Sequence, residues 1–240
     1  MPKTHKEYWL ALRFVPRLAV HKKLALVETH GLIQLFQSPE LISTLKLTAN
    51  QTSAFTHPNW EHIEKVLVKS LSCQSEIICF DDQRYPKLLQ AIYDPPLVLF
   101  IQGDSQLLNK NQIAIVGSRS ATISGRDSAG KFAYQLVEHN LVITSGMALG
   151  IDAAAHRGAL LAKGKTIAVV ATGLDKVYPL RHKVLSQEIL QSGGLIVSEF
   201  IPGTLPKAGH FPKRNRIISG LSQGVLVVEA EIRSGSLITA

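Results

Sequence analysis

Between residues 206 and 216 the chain sets Lys207, His210, Lys213, Arg214 and Arg216 among Pro206, Phe211, Pro212 and Asn215. Cations that follow a phosphate backbone beside an aromatic face on which a base can stack are the chemistry of single-stranded nucleic-acid binding. A solvated basic loop has no use for Phe211, although a core-anchoring phenylalanine with exposed charged neighbours would read the same way. Upstream, the apolar run Ile113-Ala-Ile-Val116 ends in Gly117-Ser118-Arg119. Glycine permits a tight turn there, backbone amides and the serine hydroxyl can face an anion, and arginine can grip a phosphate through paired hydrogen bonds. The plain alternative is a strand-to-helix turn with a solvated arginine. Open α/β sheets present ligands at the carboxyl ends of their strands, so the two cationic sites are expected to converge on one groove.

Other residues carry weaker signals. Ser145-Gly-Met-Ala-Leu-Gly-Ile-Asp152 follows the next apolar run, and its small residues suit a structural turn built on Ser145, Gly146, Gly150 and Asp152. Asp152 and His156 lie four apart, on one face of a helix. They supply too few ligands for a metal, and an Asp152–His156 hydrogen bond steadying the helix start is the expected role. Asp175, Tyr178-Pro179 and His182 follow a third run, where turn chemistry explains most of them. Glu199, Glu229 and Glu231 sit near strand ends, and a glycosidase-like pair would need two of them facing each other. No catalytic residue, metal site or cofactor is expected.

The elements that must position these residues follow from periodicity. Residues 7–70 carry helical spacing, with a break at His30-Gly31, and predict a small helical unit. From Ile77 the texture changes to Ile-Ile-Cys-Phe80, then Tyr85-Pro86 and Asp94-Pro95-Pro96 before Leu97-Val-Leu-Phe100, a linker joining a sheet edge. Beyond residue 112, strands are predicted over 113–117, 141–145, 166–171, 195–198 and 225–228, with helices over 126–139, 150–163, 182–192 and 214–222. The β-branched runs suit buried parallel strands, so the fold class is α/β with a doubly wound, mostly parallel Rossmann-like sheet. The division is 1–75, 76–112 and 113–240.

The chain has 240 residues, 45% of them hydrophobic, and a formal net charge of +8, enough for a substantial core and biased toward a polyanionic partner. Apolar runs are strand-sized, and Arg13 and Arg17 interrupt the first of them, so neither a membrane span nor a signal peptide is predicted and the expected location is cytoplasmic. Cys73 and Cys79 are too few for a disulfide framework.

Taken in order, Tyr85-Pro86, Asp94-Pro95-Pro96, Val116-Gly-Ser-Arg119, the Ser145 to Asp152 string with His156, Gly173-Leu-Asp175 with Tyr178-Pro179, Ser198-Glu199, Phe211-Pro212 with Arg214-Asn-Arg-Ile-Ile218, Val227-Val-Glu-Ala230 and Ser234-Gly-Ser-Leu237 resemble the DprA (Smf) family of bacterial DNA-processing proteins. The resemblance covers roughly residues 85–240. It implies an extended Rossmann-like domain that binds single-stranded DNA without catalysis, protects incoming DNA during natural transformation and helps load RecA recombinase. By the family pattern Arg119 holds a phosphate, supported by Gly117 and Ser118. Lys207, Lys213, Arg214 and Arg216 belong to a basic pocket, with Phe211 beside a base and Asn215 donating to a sugar or base edge. The N-terminal region resembles the family's sterile-alpha-motif-like domain. Arg17-Leu-Ala-Val-His21 lacks the glycines of a DNA-gripping helix-hairpin-helix, so no DNA role is expected there. Family members continue beyond the position of Ala240, where their homodimer and RecA surfaces largely lie, so the chain reads as C-terminally shortened.

Two other functions remain open at this level. Phosphoribohydrolases share the layout but carry a Pro-Gly-Gly-x-Gly-Thr-x-x-Glu string, absent from Val228-Glu-Ala-Glu-Ile-Arg-Ser-Gly-Ser236. A nucleotide-sensing module would keep Arg119 and the glycine turns but leave residues 211–216 without a purpose.

Overall fold

A computed structural model describes residues 2–230. Glu231 and the string at 234–237 lie outside the described residues. Six helices come first: α1 (His5–Phe14), α2 (Val20–His30), α3 (Gln34–Gln37), α4 (Pro39–Thr44), α5 (Ala49–Thr56) and α6 (Trp60–Ser72). Thr4 and Thr48 start α1 and α5 with reciprocal capping boxes to Glu7 and Gln51, which satisfies amide donors that a helix start leaves unpaired. Gly31, at φ 81°, ends α2.

The strands β1 (Glu76–Cys79) and β2 (Val98–Gly103) flank the short α7 (Lys87–Gln90). Then β3 (Gln112–Gly117), α8 (Ile123–Glu138), β4 (Val142–Ser145), α9 (Ile151–Leu161), β5 (Thr166–Val170), α10 (Lys183–Gln191), β6 (Leu195–Ser198), α11 (His210–Leu221) and β7 (Gly224–Val228) alternate. They build one sheet in the order β1-β2-β6-β5-β4-β3-β7. Neighbouring strands from β3 to β7 are parallel, whereas β2 runs antiparallel to both β6 and β1. The residues expected to join the sheet's edge supply an antiparallel hairpin there.

Every residue of β5 is buried, as a central parallel strand covered on both faces requires. One face carries Ile217, Ile218 and Leu221 of α11 against Val116, Val169 and Val197. The other carries α8 and α9 through Ala129, Ala133, Ala155 and Ala159, and farther along α10. The N-terminal helices share that second face: Trp9, Leu10 and Leu12 belong to one apolar cluster with Val98, Phe100, Ala168 and Ile196. Each such large side chain removed from water contributes about 1.5–3 kcal/mol. The helical unit is therefore fixed to the sheet by a common core. No helix among the described residues is long and apolar enough to cross a membrane.

Candidate nucleic-acid interface

The chain leaves β3 through α8 on one face of the sheet and reaches β7 from α11 on the other, so the carboxyl ends of β3 and β7 form a topological switch point. A groove of about 720 Å³ opens there, walled by residues 117–119, Tyr178, Lys207 and the first turns of α11. Its floor depends on two glycines. A Cβ on Gly117 would stand 1.8 Å from the Val228 carbonyl oxygen, and Gly150 adopts φ +75° with its missing Cβ 2.2 Å from the Ser118 carbonyl oxygen. Ser118 donates its amide to the Glu229 carbonyl at 2.8 Å and accepts from the Ile151 amide at 3.2 Å, tying the turn to β7 and α9.

On that floor Arg119 is exposed. Its guanidinium carbon lies 5.0 Å from the centre of the Phe211 ring, and Phe211 in turn lies 5.7 Å from the ring of Tyr178, tilted by 50°. An exposed cation over an aromatic face is held by about 0.5–1 kcal/mol, enough to bias its position without locking it. Lys207 is exposed and lines the same groove, as does Asn215.

The remaining cations are sorted by α11, which begins at His210 rather than at 214. Phe211 and Pro212 therefore sit in its first turn, where a missing proline N–H costs no helical hydrogen bond. Arg214 is 3% exposed, and its guanidinium donates to the carbonyls of Gly146 and Val169. It borders the groove from inside the wall, with one guanidinium nitrogen committed to two backbone carbonyls. Arg216 points elsewhere, bonding Glu199 at 2.6 and 3.1 Å and Asp94 at 3.2 Å, and Lys213 lies 3.5 Å from Glu199. The expected single row of pocket cations is thus divided: Arg119 and Lys207 face the groove, Arg214 braces it, and Lys213 and Arg216 lie on another face of the helix.

Asp152 and His156 do not bond each other as expected. The Asp152 carboxylate turns back to accept the amides of Gly146 and Ala148, each at 3.1 Å, which shapes the Ser145–Gly150 turn. Burial pushes its carboxyl up, against the pull of Arg214 and the two amides. His156 instead meets Thr166 at 2.7 Å, and because Thr166 donates to the Ile143 carbonyl, Nδ1 of His156 is the donor and its buried Nε2 has no partner among the described residues. Burial, followed by the charges of His182, Arg214 and Arg157, pushes His156 from 6.5 down to about 3. A histidine lowered on folding contributes stability above its unfolded pKa. That contribution should disappear as pH falls from 6.5 toward 3, by at most about 1.4 kcal/mol per pH unit. Urea midpoints across that window should fall steeply for the native chain and less steeply for His156→Leu; parallel profiles would remove His156 from the acid response.

Glu229 accepts from the amide and hydroxyl of Thr122 and so caps the entry to α8, while Asp175 accepts the Gly203 amide at 2.6 Å. Among the described residues no group of three or more His, Cys, Asp or Glu could hold a metal ion.

A family model described as DNA recombination-mediator protein A matches residues 76–240. The chain belongs to this family. It is 43% identical to Protein Smf of Escherichia coli over 81% of its own length and 52% of that protein's, and 51% identical to DNA processing protein DprA of Streptococcus pneumoniae over 66% and 55%. The chain thus spans about half the length of the curated relatives it matches. Among solved structures, the S. pneumoniae DprA superposes with TM-score 0.82 at 38% identity, covering 100% of this chain and 82% of that one. DNA processing protein A of Helicobacter pylori, solved to describe its single-stranded DNA binding mode, superposes with TM-score 0.62 at 35% identity over 70% and 75%.

The groove and all of α11 fall inside the family match, whereas α1 to α6 precede it. Tyr178 is the groove residue that sequence reasoning undervalued. Turn chemistry accounts for its neighbours Asp175 and Pro179, whereas the Tyr178 ring is 46% exposed against Phe211. An aromatic next to a turn proline, just beyond a buried strand, was the available signal.

Proposed function

We propose that this chain binds single-stranded DNA in the groove at the β3–β7 switch point, without catalysis, and serves a cytoplasmic machinery that protects incoming DNA and loads RecA during natural transformation. The observation that carries the reading is the stack of Arg119 on Phe211 beside Tyr178, with Lys207 lining the same groove. A phosphate can take Arg119 and Lys207 while an unpaired base takes the aromatic pair. The H. pylori relative supports it as a single-stranded DNA binder of the same family. A non-catalytic role is supported by the carboxylates: Asp152, Glu199 and Glu229 each hold backbone or side-chain donors of the scaffold. RecA loading and a homodimer enter from the family resemblance.

Fluorescence anisotropy with single-stranded and duplex oligonucleotides of equal length tests the reading. Single strands should bind more tightly, because stacking needs a free base face, and log affinity should fall against log salt by about 0.7 for each phosphate neutralised. Equal affinity for duplex, or a flat salt response, would contradict it.

A further inference from the structure

The cations that α11 withholds from the groove gather elsewhere. Arg13, near the end of α1, donates to the Glu199 carbonyl at 3.0 Å, and Lys23 of α2 donates to the Arg13 carbonyl at 3.1 Å. With Lys213 and Arg216 they surround Glu199 and Asp94, so cations outnumber carboxylates at the junction between the N-terminal helices and α11. Lys23 is 5% exposed, and among the described residues the Arg13 carbonyl is its only hydrogen-bond partner, although an ammonium carries three donors. Burial, then Arg13 and Lys213, push Lys23 down to about 8, with Asp94 opposing. A buried cation among other cations is costly unless an anion completes the site.

The rim adds a second observation. Tyr93, adjacent to Asp94, is 86% exposed, and its ring lies 6.1 Å from that of His21 on α2. An aromatic face open to solvent beside surplus cations repeats the combination found in the groove. Lys213 is half exposed and close enough to the buried Lys23 for their charges to interact. Residues 211 and 215 face the groove while 213 and 216 face the junction, so a strand crossing α11, about 10–12 Å wide with its side chains, would span both.

We propose that this junction is a second contact site for the same single strand, taking one backbone phosphate on Lys213 and Lys23 and stacking a base on Tyr93. The inference rests on the groove being a single-strand site, and it gives the N-terminal helices a DNA role that their sequence did not suggest. The test uses the whole chain with oligothymidylates of about 4 and about 16 nucleotides, lengths that fill one site or span both. Lys23→Met should leave the short oligomer unaffected, weaken the long one about fivefold at 0.1 M salt and reduce its salt slope by about 0.7. Tyr93→Ala should weaken the long oligomer alone. Melting temperature serves as the folding control and should not drop for Lys23→Met, since a buried cation is removed.

Native-like long-oligomer binding by both variants would overturn the proposal. So would inorganic phosphate, against chloride of equal ionic strength, raising the melting temperature of the native chain but not of Lys23→Met while the DNA slope stays unchanged, since the site would then serve the free anion. Failure of the native chain to bind the short oligomer would instead refute the groove.

Discussion

Arg214→Ala is expected to lower stability by about 3–5 kcal/mol, a loss of fold rather than of one DNA contact. The guanidinium bridges the carbonyls of Gly146 and Val169, on the turn after β4 and on β5, and its charge acts on the buried Asp152 carboxyl. Truncation would orphan both carbonyls and leave Asp152 buried without its countercharge. Burial pushes Arg214 itself down to about 10, so it stays charged at neutral pH. Arg214→Lys should rescue only part of the loss: one guanidinium nitrogen reaches both carbonyls, and a shorter-headed, more strongly hydrated ammonium must be buried to replace it. Urea unfolding followed by circular dichroism measures the effect. An alanine variant that unfolds like the native chain but no longer binds DNA would return Arg214 to the role its sequence neighbourhood suggested.

Arg119→Ala should do the opposite, costing about 1.5–3 kcal/mol of single-strand affinity, roughly 10- to 150-fold, with the unfolding midpoint unchanged. The side chain is exposed, and its neighbour in the structure is the face of Phe211, so its removal buries no unpaired group. Arg119→Lys should recover part of the affinity, keeping the charge and losing paired recognition of the phosphate. Asp152→Ala makes the contrast: the carboxylate holds two amides of a buried turn, so stability should fall by more than the ~1 kcal/mol of a simple cap. Normal DNA binding by Arg119→Ala beside a fully folded, non-binding Asp152→Ala would move the interface away from the groove.

The parallel strands were legible because runs such as Thr166-Ile-Ala-Val-Val are apolar and β-branched throughout, which suits a strand covered on both faces. Gly117 and Gly150 could be recognised as turn glycines, but only the packing shows which carbonyl each must admit. The cations of α11 were harder, since a basic cluster read as a string gives no direction to its members. Yet the direction was encoded: Arg214 precedes Ile217, Ile218 and Leu221 at three, four and seven residues, on the face that enters the core. The expected helix over 214–222 already holds that spacing, while the true start at His210 adds Phe211 and Pro212 to its first turn. Asp152 and His156 show the other limit. Spacing by four puts them on one side of α9, but the Gly146 and Ala148 amides and the Thr166 hydroxyl, brought in by tertiary contacts, take each of them instead.

In the proposed complex an unpaired base meets Phe211 and Tyr178 while Arg119 and Lys207 hold the backbone. Photocrosslinking of a single-stranded oligonucleotide carrying bromodeoxyuridine, followed by peptide mass spectrometry, tests it most directly. Cross-links are expected at Phe211 or Tyr178, reduced when Arg119 is replaced by alanine; cross-links confined to the N-terminal helices, with none on the peptides bearing Tyr178 and Phe211, would place the base elsewhere.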